Sequence, residues 1–187
     1  MTAGGPERQP PVLIEKTIPL SRLMDFHAPG EVGEFCRSCP RYGKNWSCPP
    51  HSGGCTLTGP EGLAERYRTV VVRTHQADMT GFTDREEAIA WYHSCRRKVN
   101  DDLRLYAAEH PGTEVLISGH CSVCDPCPRE TGGACRFPEK RKYSPESLGL
   151  RISDLLVEIL DTELQWEGDE MPAVLNIVTV ILRSVPE

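Results

Sequence analysis

Seven of the nine cysteines fall in two tight runs, and their spacing defines the chemistry the chain could do. The second run is Cys121-Ser-Val-Cys124-Asp-Pro-Cys127, joined by Cys135 eight residues on. Three cysteines at successive two-residue gaps wrap three corners of a cubane [4Fe–4S] cluster, and a remote fourth closes it. Zinc sites are more often built from two separate C-x2-C knuckles, and three thiolates at such short gaps crowd one tetrahedral ion. The first run is Cys36-Arg-Ser-Cys39, with Cys48-Pro49-Pro50 after the string Tyr42-Gly43-Lys44-Asn45-Trp46-Ser47. It supplies three thiolates and lacks a fourth donor. Cys55 and His51 are candidates for that position, as is a cysteine exchanged between the runs. A zinc loop of four cysteines, or of three cysteines and a histidine, is the alternative there. Eight ligating cysteines would close two cubes and suit electron transfer. Seven would leave one iron open to a substrate atom.

Several neighbours bear on these sites. Arg136, directly after Cys135, could donate to cluster sulfides or to an anionic ligand, or pair with Glu139 or Asp125. Trp46 and Tyr42 are expected to shield the first site from solvent, with stacking on a bound ring as the alternative. Lys44 reads as a solvated side chain within reach of an anion, and His120 as a surface histidine, with donation to cluster sulfur as the alternative. Arg96-Arg97-Lys98 and Lys140-Arg141-Lys142 read as solvated basic faces rather than docking sites.

The strings C-x2-C-x2-Y-G-x2-W-x-C-P-P (Cys36 to Pro50) and C-x2-C-x2-C…C-R-x-P-E (Cys121 to Glu139) resemble a family of small cysteine-rich prokaryotic proteins. That family is described as predicted metal-binding, with no established reaction. The likeness extends to the segment Ser144-Pro-Glu-Ser-Leu-Gly149 and, more weakly, to Asn176–Leu182. The resemblance implies metal binding by Cys36, Cys39, Cys48, Cys121, Cys124, Cys127 and Cys135. Cys55 and Cys95 lie outside its pattern.

The elements that must position these loops are legible in part. The clearest is a helix from about Asp84 to Glu109, with Thr83 and Glu86 as a capping box. Cys95 falls on its apolar face and reads as a core cysteine. Val12–Ile18 is expected as an edge strand, Thr69–Thr74 and Glu114–Ser118 as buried strands, and Val174–Leu182 as a closing strand. Short helices are expected at Ser21–Phe26, capped by Ser21, and at Gly62–Arg68. Another is expected from Ser144-Pro145 to Gly149, and a longer one over Ile152–Leu164. Cys36–Cys55 reads as loop throughout. Strands alternating with helices point to the α/β class, with a small sheet, flanking helices and two adjacent cysteine-rich metal-binding loops. Residues 1–11 read as a disordered tail and 12–187 as a single domain.

Composition removes other classes. At 187 residues with a formal net charge of −6, the chain lacks the basic footprint of a nucleic-acid binder. No apolar run approaches a membrane span, and residues 1–11 are too polar for a secretory signal. Clustered cysteines without such a signal point to metal or redox chemistry in the cytoplasm rather than disulfides. The expectation is an iron–sulfur protein, with two [4Fe–4S] clusters that exchange electrons with a redox partner protein. The alternatives are an enzyme whose three-cysteine cluster binds a small-molecule substrate or sulfur at an open iron, and a zinc-stabilised interaction module.

Overall fold

The computed structural model describes residues 8–51, 57–58, 62–165 and 170–184. Four strands, β1 (Val12–Pro19), β2 (Thr69–Asp78), β3 (Thr113–Leu116) and β4 (Val174–Arg183), form a sheet of order β1-β2-β4-β3. Every pairing is antiparallel. The helices are α1 (Leu20–Met24), α2 (Pro29–Ser38), α3 (Leu63–Arg66), α4 (Arg85–Glu109) and α5 (Ile152–Leu160). The α/β class holds, with helices on both faces of the sheet.

Period-two alternation divides the strand side chains between the two faces. Val70 and Val72 of β2 join Val178, Val180 and Leu182 of β4 in the main core, against Leu23, Phe26, Leu155 and Leu156. Val71, Ile181 and Val115 point the other way and meet Leu103 of α4. Because both faces are covered, β4 is buried from Leu175 to Leu182. Its Val/Ile/Leu run, interrupted only by the buried Asn176 and Thr179, reflects that double cover, which an antiparallel strand shares here with the parallel sheets where it is commoner. β1 is an edge strand as expected, with Val12 at 63% and Leu13 at 41% exposure.

Several local expectations shift. The cap of α4 is Asp84, whose carboxylate accepts from Glu87 N at 2.7 Å. It displaces Thr83 because an anionic acceptor also meets the positive end of the helix dipole. Pro19, and not Ser21, precedes α1, and no side chain caps it. The segment after Ser144 makes only a 3₁₀ turn, Glu146–Leu148, ended by Gly149 at φ +88°. α5 ends at Leu160, where Asp161 turns left-handed, and so falls short of Leu164. Cys36 lies in helix α2 instead of loop; Pro29 at its first position and Glu31 in its first turn support that helix. Cys95 is half-buried on α4. Of the expected tail, residues 1–7 lie outside the described residues; Arg8 donates to the carbonyls of Thr80 and Gly81 and lies 3.1 Å from the Phe82 ring centroid.

Candidate metal centre

The strand β3 delivers the chain into Gly119-His120-Cys121, and α4 fixes where it arrives. Asn100 of α4, 1% exposed, donates from Nδ2 to Ser118 O (3.0 Å) and accepts from Ser118 N at Oδ1 (2.9 Å). Both peptide groups would otherwise be buried without partners. Replacing Asn100 with alanine is expected to cost about 2 kcal/mol, because truncating one partner leaves the others unsatisfied. Denaturant unfolding measures this, and a change below ~0.5 kcal/mol, the range of an inert surface substitution, sinks it.

The four cysteines of the second run line one hollow, together with Asn45, Trp46, Val123, Pro128, Phe137 and Arg141. Asn45 and Trp46 belong to the first run, so the two loops share this wall. The first run is a chain of tight turns: Cys39 N donates to Cys36 O, Tyr42 N to Cys39 O, and Cys48 N to Asn45 O. Gly43, at φ +70°, reverses the backbone so that its N–H reaches Pro49 O at 2.8 Å. Cys39 lies close enough to act on the ionisation of both Cys36 and Cys48, and Cys36 on that of Cys48.

Asn45, Ser47 and Arg129, which the cysteine spacing does not single out, lock the loops together with Trp46. Buried Asn45 accepts from Ser47 N and Oγ at its Oδ1 and donates from Nδ2 to Cys121 O at 2.9 Å. Cys121 N in turn donates to Ser47 Oγ at 2.8 Å. Trp46 Nε1 reaches Gly133 O at 3.0 Å. Arg129, two residues after Cys127, spreads its guanidinium over the carbonyls of Asn45, Cys48 and Pro50 at 2.7 to 2.9 Å. It also lies 4.9 Å from the Trp46 ring centroid. The Asn-x-Ser turn was the available signal for Asn45, whereas nothing local marks Arg129.

Burial pushes the Cys48 thiol up to about 11; Cys39 and Cys36 add to this, and the Ser47 hydrogen bond and Arg129 oppose it. Cys36 is raised as well, by burial first and then by the charges of Glu146 and Cys39. Thiols raised in this way stay protonated unless a cation supplies the compensating charge. The eight described cysteines are free of disulfides. A donor set of four thiols on one hollow and three on the adjoining loop fits an iron–sulfur group. Among the described residues, no three Cys, His, Asp or Glu side chains converge closely enough to hold a single ion.

The other expected site residues divide. Trp46 adjoins the second run as well as the first, while Tyr42 is half-buried. Lys44 and Arg136 are exposed, and Arg136 acts on Cys124 only through its charge, which opposes that thiol's rise. His51 is half-buried and its Nε2 is 2.6 Å from Ser147 O. Cys55 lies outside the described residues. His120 is not a surface histidine: it is half-buried, and burial with the charges of Arg41 and Arg96 pushes its pKa to about 4. Nor are the basic triplets simply solvated. Arg96 folds back over Gly119, where a Cβ would stand 2.8 Å from its Nη1. Lys142 pairs with Glu114 at 2.7 Å, and Arg141 joins the four-cysteine hollow.

A small antiparallel sheet with helices on both faces thus presents two interlocked cysteine loops. The chain belongs to the family described as predicted metal-binding protein (DUF2284), whose model matches residues 24–182. No curated protein and no solved structure matches it. No helix among the described residues is long and apolar enough to cross a membrane.

Proposed function

We propose that the chain is a cytoplasmic iron–sulfur protein that holds two [4Fe–4S] clusters and passes single electrons to or from a partner enzyme. One cluster would sit on Cys121, Cys124, Cys127 and Cys135, the other on Cys36, Cys39 and Cys48 with a fourth donor. When bound, such clusters supply one-electron transfer at a potential set by burial and hydrogen bonds. The observation that carries this reading is the direct hydrogen bonding between the two cysteine loops, through Asn45, Ser47 and Arg129. Two centres on one rigid unit suit electron passage between them.

A second reading, in which the first site binds a small molecule at an open iron, is favoured by one feature. A cavity of about 280 Å³ opens beside Cys36, lined also by His27, His51, Leu57 and Glu146. Iron, acid-labile sulfide and zinc per chain, measured on protein purified without oxygen, test both. About eight iron and eight sulfide are expected for two cubes. One or two zinc without sulfide would overturn both readings and leave a structural metal module.

A further inference from the structure

The Ser144–Gly149 segment carries no cysteine, yet it completes a cavity beside the first run. Pro29, Gly33 and Cys36 fall on one face of α2 by helical spacing, and all three line this space of about 280 Å³. Ser147, Leu148 and Gly149 supply another part of the wall, with Pro49 and Leu57. Gly149 lets the segment reach α2, since a Cβ at its φ of +88° would stand 2.8 Å from Pro29 Cα. Ala28 N donates to Gly149 O at 2.8 Å and closes that contact. Gly33 leaves room, because a Cβ there would come no closer than 3.9 Å to any described side chain.

The polar side chains of this wall are turned from the space or already bonded. His51 donates from Nε2 to Ser147 O at 2.6 Å, and its Nδ1 is shut off from solvent. The His27 ring donates to the Leu148 carbonyl, and burial pushes both imidazoles toward their neutral form. Ser147 Oγ accepts from Ser144 N at 3.1 Å and donates to Ser144 O at 2.8 Å. Glu146 is the one acid on the wall. It keeps Oε2 out of reach of solvent, is held through Ser144 and its own amide, and lies in the field of Arg96. Thr58 adds a hydroxyl without charge, and among the described residues no lysine, arginine or aspartate lines the cavity. The wall therefore offers chiefly hydrocarbon, with the Cys36 sulfur at its side.

We propose that this cavity binds a small, uncharged organic molecule about one substituted ring in size. A cavity of about 150 Å³ lined by apolar side chains already takes benzene, so about 280 Å³ leaves room for a ring and its substituent. An ion would leave water for a wall that gives it no partner, whereas an uncharged ring gains from the transfer. The proposal names the ligand class for the small-molecule reading of the first site. That the ligand meets an iron there rests on that reading; the binding does not.

The test titrates benzamide, benzoate and benzamidinium into the full-length chain purified without oxygen, followed by ligand-observed nuclear magnetic resonance. The three share nearly one shape and are neutral, anionic and cationic. Benzamide is expected to bind, and each ion at least ~10-fold more weakly. Gly33→Leu fills the cavity from a helical position that gains propensity, and is expected to weaken benzamide at least ~10-fold. Gly30→Leu, exposed on the same helix and off the cavity wall, is expected to bind as the wild type does. Circular dichroism shows that each variant is folded. Absence of benzamide binding, an ion bound as tightly as benzamide, or unchanged binding in Gly33→Leu would each overturn the proposal. Iron and sulfide are measured on the same sample. Zinc without sulfide would end the iron–sulfur readings separately, and the titration would still decide the cavity.

Discussion

Arg129→Ala is expected to bind metal about 10- to 100-fold more weakly than the native chain, with its helices and sheet intact. The guanidinium satisfies three carbonyls of the Cys48 loop from a turn that begins beside Cys127, so it sets the distance between the cysteine runs. Its loss leaves those carbonyls to water and frees Trp46 from its cationic neighbour. Lysine should not rescue the effect, because one ammonium group cannot fork across three acceptors. Chelator competition gives the affinity, and far-UV circular dichroism reports the scaffold. Unchanged affinity in Arg129→Ala would show that the loops hold their positions without this clamp.

Leu156→Ala is expected to do the reverse, lowering stability while leaving the metal content of folded protein unchanged. Leu156 is fully buried in the main core, among Leu23, Val70, Val180 and Leu155. Truncating it removes transfer energy and leaves a cavity, together about 3 kcal/mol. For a chain of this size that corresponds to a melting temperature about 10 °C lower. Val157, its neighbour on α5, is 49% exposed, and Val157→Ala should change stability by less than ~0.5 kcal/mol. Thermal unfolding of the two variants side by side checks the assignment of faces; equal losses would contradict it.

What could be read beforehand was what is local. The sulfur spacings sorted the cysteines into two sets, because ligands two residues apart must share a loop. The Val/Ile runs of β2 and β4 and the length of α4 were equally plain. Helix α2 was not, since Gly30 and Gly33 lower its propensity, Phe35 is 71% exposed, and Val32 alone is buried. The groups that organise the site were hidden for another reason. Arg129 acts across 84 residues, Asn45 across 76, and Glu146 meets Cys36 across 110. No spacing rule reaches that far. Gly149 was read as a helix stop, and it is that, but its close approach to Pro29 depends on a tertiary contact that its own segment does not announce.

The strand order has a consequence for how the protein is made. β4, the last of the four described strands, lies between β2 and β3, with Arg183 opposite both Thr69 and Thr113. A ribosome therefore emits both cysteine runs well before the strand that unites the sheet has been synthesised. Until it emerges, β2 can pair only with β1, and β3 has no neighbour. Such non-local closure is slow compared with helix formation. The thiols of a nascent chain accordingly meet metal, oxygen and one another on an unfinished scaffold, and the sheet that positions the paired sites closes only once β4 has emerged.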